Sequence, residues 1–152
     1  MPVGPAVQLL YGFIAGFIAT LIFHQLVLTV MWVMGLARFA PFSMKATHPF
    51  GVPAVISLSF WGGIWGIIYS LMRHGFPGGP VHWIAAFLFG GILPSAFALL
   101  VVFPLKGLPM GGGWHPPLLA MVFALNGAWG VGTALIFRGL AAGLGGQGRS
   151  SR

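Results

Sequence analysis

The chain of 152 residues contains no Asp, Glu or Cys. Its charged residues are seven Lys and Arg, and its other ionisable side chains are those of His and Tyr. With 58% hydrophobic and 5% charged residues, against roughly 25% charged in a typical soluble domain, the composition excludes a water-soluble globular protein. The missing cysteines exclude disulfides and thiol chemistry. The cations lie singly between apolar runs, which favours contacts with anionic lipid headgroups over nucleic-acid binding.

Four apolar stretches are long enough to cross a bilayer, whose core of about 30 Å requires about 20 helical residues. Each stretch ends near a cation, because charge resists entering hydrocarbon. Pro53 and Pro117 lie where the start of a helix tolerates proline. The sequence therefore predicts an all-α fold, an integral membrane four-helix bundle with spans at about 9–36, 53–72, 81–103 and 117–137.

The ends of the chain bear on domain organisation and orientation. We expect residues 1–140 to form a single transmembrane domain that begins with an uncleaved span, and the Gly-, Ser- and Arg-rich tail 141–152 to be disordered. Four spans place both termini on the same side of the membrane. That side carries one cation more than the other, with Arg73, Arg138, Arg149 and Arg152 against Arg38, Lys45 and Lys106. The positive-inside rule then predicts that both termini are cytoplasmic.

The two halves of the sequence share short words in the same order. Residues 63–66 read Gly-Ile-Trp-Gly and residues 127–130 read Gly-Ala-Trp-Gly, and Trp65 and Trp129 each lie twelve residues after the proline that begins the span. One interpretation is a duplication that gives two tandem helical hairpins related by an axis along the membrane normal. The other is chance recurrence in a chain rich in Gly and Trp. We predict two tandem hairpins and leave their origin open.

Small residues recur at intervals of four along three of the spans, and the third span contains an internal proline. Helices in lipid associate through close approach, which small residues permit. Pro94 cannot donate to the helix ladder and predicts a kink. The small-residue stripes are Gly12 and Gly16, then Gly62, Gly66 and Ser70, and then Ala124, Ala128 and Gly132.

Five side chains at membrane depth are candidates for ligand binding. His24, Gln25 and Asn126 are polar groups that usually face a bundle interior, where they form a ligand or ion path or else hydrogen-bond to each other, as in a His24–Asn126 pair. Trp65 and Trp129 either pack over facing glycines or form a flat wall for a ring-shaped ligand such as a quinone or carotenoid.

A second candidate site lies in the connections that precede spans two and four. Lys45 and His48 occupy the first connection, and Lys106 and His115 occupy the corresponding second one. Together they form either a basic pocket for a phosphate headgroup or a two-histidine metal or haem site. Without carboxylates or thiols such a metal site has few ligands, so no cofactor is firmly implied.

Three sequence words in the first half resemble a known group of membrane proteins. They are Phe23-His24-Gln25, Pro-Phe-Gly-Val-Pro at 49–53 and Phe-Trp-Gly-Gly-Ile-Trp-Gly at 60–66. This half resembles small four-span proteins from proteobacteria whose activity is uncharacterised. The resemblance covers about residues 12–66 and implies a multi-pass protein of the bacterial inner membrane. It implies no functional residue.

Three functions remain open, none of them enzymatic, because the sequence contains no triad, paired acids or phosphate-binding loop. The leading hypothesis is an accessory or assembly subunit of a larger membrane complex, whose partners are other subunits or copies of the chain. The second is a small transporter or channel for a neutral or anionic solute, since no acid is available for cation coupling. The third is a haem-, quinone- or pigment-binding module. The sequence identifies neither the ligand nor the oligomeric state.

Overall fold

Four helical spans dominate the computed structural model, which describes residues 4–147 and the surroundings of side chains as far as Gly143. The helices that are long and apolar enough to cross a membrane are Pro5–Val33, Ala54–Gly75, Val81–Leu105 and Pro116–Gly143, called spans 1 to 4 below. Span 1 packs on span 2, and span 3 packs on span 4. The predicted all-α bundle of four membrane helices, built as two tandem hairpins, is confirmed.

Spans 1 and 3 each contain a π-helical segment. Span 1 consists of the α-helices Pro5–Ala19 and Gln25–Val33 with a π-helical turn, Thr20–His24, between them. In span 3 the α-helix Val81–Phe97 runs through Pro94 and is followed by the π-helical segment Ala98–Val102 and the short α-helix Phe103–Leu105. A π-helical segment shifts the hydrogen-bond ladder by one residue and is a common way to bend a helix.

Spans 2 and 4 are regular α-helices. Span 2 is α-helical over Ala54–Met72 and ends in the 3₁₀ turn Arg73–Gly75. Span 4 is a single α-helix, Pro116–Gln147, preceded by the turn Met110–Trp114, in which residues 111–114 all have positive φ angles. This helix includes residues 141–147 of the tail for which we predicted disorder. Residues 148–152 lie outside the described part of the chain, and there the prediction stays a prediction.

A small β-hairpin occupies the connection between spans 1 and 2. Its strands Ala46–Thr47 and Val52–Pro53 pair antiparallel. The hydroxyl of Thr47 donates to the carbonyl of Val52 at 2.8 Å, and Gly51 provides the positive φ of 68° that the turn requires. The hairpin leads directly into the first turn of span 2.

Glycines bring spans 1 and 2 into backbone contact. A Cβ placed on Gly16 would collide with the carbonyl of Gly62, and one placed on Gly66 would collide with the carbonyl of Gly12. The ring of Phe13 lies so close to Gly63 that an added Cβ there would be 2.6 Å from it. Spans 1 and 2 therefore approach as closely as small residues in lipid allow.

Spans 3 and 4 repeat this seam at matching positions, with Ala86 in place of Gly12 and Asn126 in place of Gly62. A Cβ on Gly90 would collide with the carbonyl of Asn126, and one on Gly130 would collide with the carbonyl of Ala86. Phe87 covers Gly127 and would lie 2.5 Å from a Cβ there, as Phe13 covers Gly63 in the first hairpin. Matching contacts at matching depths support a duplication more strongly than shared sequence words do.

The ends of spans 1 and 3 are also alike, because each closes in a glycine-based Schellman motif. Gly35 and Gly107 have positive φ angles of 74° and 71°. The next residue in each case, Leu36 or Leu108, donates its N–H to the carbonyl five residues earlier, at 2.8 and 2.9 Å. The equivalence of the two hairpins therefore extends to the ends of their first helices.

The two hairpins meet asymmetrically. Spans 1 and 4 approach each other closely, whereas spans 2 and 3, which are their counterparts in the repeat, meet mainly through aromatic rings. The largest buried cluster lies where all four spans converge and consists of Ala15, Ala19, Tyr69, Ala86, Phe89, Trp129, Ala134 and Phe137.

Candidate functional site

The structure places the three predicted polar residues in different surroundings. Asn126 donates from Nδ2 to the hydroxyl of Ser95 at 3.0 Å, and that hydroxyl in turn lies 3.3 Å from the carbonyl of Val122. These bonds connect spans 3 and 4 within the second hairpin. Asn126 is therefore used as an interhelical hydrogen-bonding group, and its partner is Ser95 and not His24.

Gln25 stabilises the first connection. Its side chain is 2% exposed, and its Oε1 accepts the backbone N–H of Phe42 at 2.7 Å. The carbonyl of Gln25 also accepts the hydroxyl of Thr29 at 2.7 Å. The connection thus folds back over the end of span 1, and Gln25 marks the point where it is held.

His24 is half-buried in the π-helical turn of span 1. Its Nδ1 is buried and has no hydrogen-bond partner among the described residues. A ring nitrogen without a partner at this depth is costly, so His24 keeps its place as a candidate. His24 differs in this respect from Gln25 and Asn126, whose side chains both have hydrogen-bond partners.

The tryptophans predicted as a wall for a ring ligand converge on a protein ring, that of Phe89. Trp129 stacks on Phe89 with a centroid distance of 6.4 Å and an interplanar angle of 28°. Trp65 meets the same ring edge-on at 6.5 Å and meets Phe97 at 5.8 Å. Phe89 fills the space between the two repeat-related indoles. This arrangement agrees with a role of the two tryptophans in helix packing and not with a wall for a ring-shaped ligand.

The four predicted headgroup or metal residues lie at the end of the bundle opposite the termini, and all are exposed: Lys45, His48, Lys106 and His115. None of their side chains hydrogen-bonds to another of the four within the described part of the chain. Residues 4–147 also contain no group of three His, Cys, Asp or Glu side chains placed to hold a metal ion. The loops supply basic groups at the membrane surface, and the metal and headgroup interpretations both remain predictions.

A cleft of about 380 Å³ opens beside the first connection. Its polar groups are Gln25, Arg38 and Ser43, and its apolar wall is formed by Leu28, Phe39, Ala40, Ala54, Val55 and Leu58. Sequence reasoning identified Gln25 but not this cleft. Arg38 and Ser43 join it only because the connection folds back onto span 1, and no spacing in the sequence encodes that fold.

An outward-facing set of rings at membrane depth, called the aromatic face below, consists of Phe13, Phe17, Phe60 and Trp61. Phe13 lies 6.1 Å from Phe17 and 5.9 Å from Phe60, and Phe60 lies 5.9 Å from Trp61. Phe60 and Trp61 are 48% and 54% exposed although they lie near the middle of span 2. Trp61 lies inside the span predicted at about 53–72, but its outward direction is visible only in the structure.

The position of Trp61 differs between the two hairpins. Its counterpart in span 4, counted from the matched glycines, is Leu125, which is 6% exposed and packs in a cluster with Leu28 of span 1. In the second hairpin a helix therefore covers this position. In the first hairpin the same position faces outward, because span 3 meets span 2 through the rings of Phe89 and Phe97 and not by close backbone approach.

No protein-family model, curated protein or solved structure matches this chain. The fold and the packing define a multi-pass helical membrane protein of four spans, and the bilayer is its environment. The candidate site must accordingly be judged by the geometry of its own residues.

Proposed function

We propose that the chain is a non-enzymatic accessory or assembly subunit that binds a transmembrane helix of another membrane protein. The observation that carries the proposal is the exposed Trp61 at the middle of span 2. An indole N–H in the bilayer core lacks the acceptor that it finds in water or in a protein interior. A partner helix supplies both an acceptor and apolar contact.

The repeat supports a helix as the occupant of the aromatic face. Leu125, the counterpart of Trp61, is covered by span 1 in the second hairpin, so the position of Trp61 is one that packs on a helix in the other half of the repeat. The filled interior agrees with this role, since Trp129, Phe89 and Asn126 are all engaged in packing or hydrogen bonds.

We further propose that the protein resides in a bacterial inner membrane with both termini in the cytoplasm. The support is the narrow excess of cations on the side of the termini and the likeness of residues 12–66 to small four-span proteobacterial proteins. The orientation has no bearing on which surface faces a partner within the membrane.

Photo-crosslinking in native membranes tests the docking proposal. A photoreactive residue is placed at position 61, and adducts are identified by mass spectrometry after extraction in mild detergent. We expect one predominant adduct, to a transmembrane segment of another protein. Co-purification of that protein should be lost in Trp61→Leu and retained in Trp32→Leu, a matched control because Trp32 is 48% exposed near the end of span 1. Adducts only to lipid, or only to a second copy of the chain, would contradict the proposal.

The cleft at the first connection favours a second candidate function, the binding or passage of a small neutral or anionic solute. Arg38 supplies positive charge, Gln25 and Ser43 supply hydrogen bonds, and the apolar wall excludes water from one side. Flux of small anions into proteoliposomes tests this candidate. Flux that is equal in wild type and Arg38→Gln, and equal to that of empty liposomes, would remove it.

A further inference from the structure

Two arginines contact aromatic rings at the end of the bundle where span 2 ends and span 3 begins. The Cζ of Arg73 lies 4.6 Å from the centroid of Phe137, and the Cζ of Arg138 lies 5.2 Å from the centroid of Trp83. Phe137 is 2% exposed and belongs to the central cluster. Phe137, which Arg73 covers, and Arg138 are adjacent in span 4.

Tyr69 and His82 connect the two arginines into one cluster. The ring of Tyr69 lies 6.1 Å from Phe137, and its hydroxyl lies 3.1 Å from Nε2 of His82. His82 is adjacent to Trp83, and the guanidinium of Arg138 lies over the ring of Trp83. We call this set, Tyr69, Arg73, His82, Trp83, Phe137 and Arg138, the arginine cluster.

No side chain of the chain can neutralise this positive charge, because the sequence contains no Asp or Glu. The aromatic faces provide cation–π attraction, and the C-terminal end of the span 2 helix offsets part of the charge of Arg73. Arg138 lies inside span 4, whose helix continues to Gln147, so the end of its own helix gives no such compensation. The cluster therefore retains an uncompensated charge at the depth where a membrane helix meets the headgroups.

Arg73 also has an unused hydrogen-bond donor. Its Nε is buried and has no partner within the described residues. A buried donor without an acceptor costs free energy, and an acceptor brought from outside the chain removes that cost. The planar guanidinium fork matches phosphate oxygens in pairs, which a lysine ammonium does not.

We propose that the arginine cluster binds a phosphate group, held by the guanidinium groups of Arg73 and Arg138. Two sources share this chemistry, the headgroup of an anionic phospholipid and free inorganic phosphate. The cluster lies where span 2 ends and span 3 begins, which is the depth at which a phospholipid headgroup is found. This inference is independent of the aromatic face and of the partner proposed for it.

The experiment measures the thermal unfolding midpoint of the full chain in neutral detergent during titration with phosphatidylglycerol, phosphatidylcholine or inorganic phosphate, with chloride at matched ionic strength as the salt reference. We expect phosphatidylglycerol to raise the midpoint more than phosphatidylcholine does. Arg73→Gln and Arg138→Gln should each require about tenfold more phosphatidylglycerol, as expected for loss of a paired charged hydrogen bond. Arg149→Gln, which removes one cation that is not part of the cluster, should respond as wild type.

Each arm has a defined outcome. A specific response to phosphatidylglycerol alone assigns the site to a lipid, and a response to inorganic phosphate beyond that to chloride assigns it to a free anion. Should Arg73→Gln fail to fold, Arg73→Lys keeps the charge, loses Nε–H and should still bind less tightly. Equal responses of wild type, Arg138→Gln and Arg149→Gln to phosphatidylglycerol would overturn the proposal, as would identical responses to all lipids and salts.

Discussion

The indole nitrogen of Trp129 donates a hydrogen bond of 2.9 Å to the carbonyl of Gly16 and thereby joins the two hairpins. The same carbonyl accepts the hydroxyl of Thr20 at 3.0 Å and the backbone N–H of Thr20. Thr20 begins the π-helical turn of span 1. Gly62 of span 2 leaves room for the indole, because a Cβ at that position would lie 3.2 Å from the indole nitrogen.

Trp129→Phe should destabilise the bundle, because it removes this interhelical donor while retaining an aromatic ring against Phe89. Such bonds in membrane proteins contribute about 0.6 kcal/mol on average and up to about 1.7. We expect a loss toward the upper part of that range, since the site is 2% exposed. Unfolding in detergent measures it, and Trp114→Phe, in an exposed connection, is the matched control. Equal stability of the two variants would show that the bond contributes nothing.

Alanine at the glycine seam should destabilise the protein although alanine favours a helix by about 1 kcal/mol over glycine. At Gly130 the added methyl meets the carbonyl of Ala86, and overpacking of this kind costs about 1–3 kcal/mol. Gly139→Ala in the same helix meets nothing within 4 Å and should be neutral or stabilising. Gly66→Ala should behave as Gly130→Ala does, since the seams match. A stabilised Gly130→Ala would contradict the packing described for spans 3 and 4.

Asn126 and Ser95 should show energetic coupling in a double-mutant cycle. The variants Asn126→Leu and Ser95→Ala remove a bond of 3.0 Å, and we expect a coupling free energy of about 0.6 kcal/mol or more. Ser59 serves as the control partner because its hydroxyl donates within span 2, to Val55 at 2.8 Å. The effects of Asn126→Leu and Ser59→Ala should be additive. If the effects of Asn126→Leu and Ser95→Ala were additive as well, the result would be inconsistent with the structure.

Gln25→Leu should loosen the first connection, since it removes the acceptor for the N–H of Phe42. The chain has no cysteine, so a single Met44→Cys reports on the loop without background. We expect faster modification of this thiol by a bulky reagent in the Gln25→Leu background, with no change for a thiol at Leu108 in the other connection. An unchanged rate at position 44 would mean that Gln25 does not hold the loop.

Composition alone predicts the four spans, but local chemistry sets where they end. Span 1 was predicted to continue to residue 36 and instead stops at Val33, because Gly35 closes a Schellman motif regardless of the apolar residues around it. Span 4 was expected to stop near Arg138, yet its helix continues to Gln147. The guanidinium of Arg138 lies over Trp83, so the cation is accommodated without ending the helix.

The partners of deep side chains were much harder to predict than the spans. Trp61, Trp65 and Trp129 all appear at membrane depth in the sequence, but one faces outward, one packs against Phe97 and one bonds to Gly16. Their directions depend on which spans meet across the two hairpins. That arrangement is set by the close contact of spans 1 and 4, which hairpin periodicity does not specify.

Impermeant thiol labelling tests the central claim, a chain that crosses the membrane four times as two like-oriented hairpins. Single cysteines are placed at Met44, Gly78 and Leu108, one in each connection, in a chain that has none of its own. In sealed vesicles of one orientation, positions 44 and 108 should be labelled from the same side and position 78 only from the other. Labelling of 44 and 108 from opposite sides, or of 78 from the same side as both, would contradict the account.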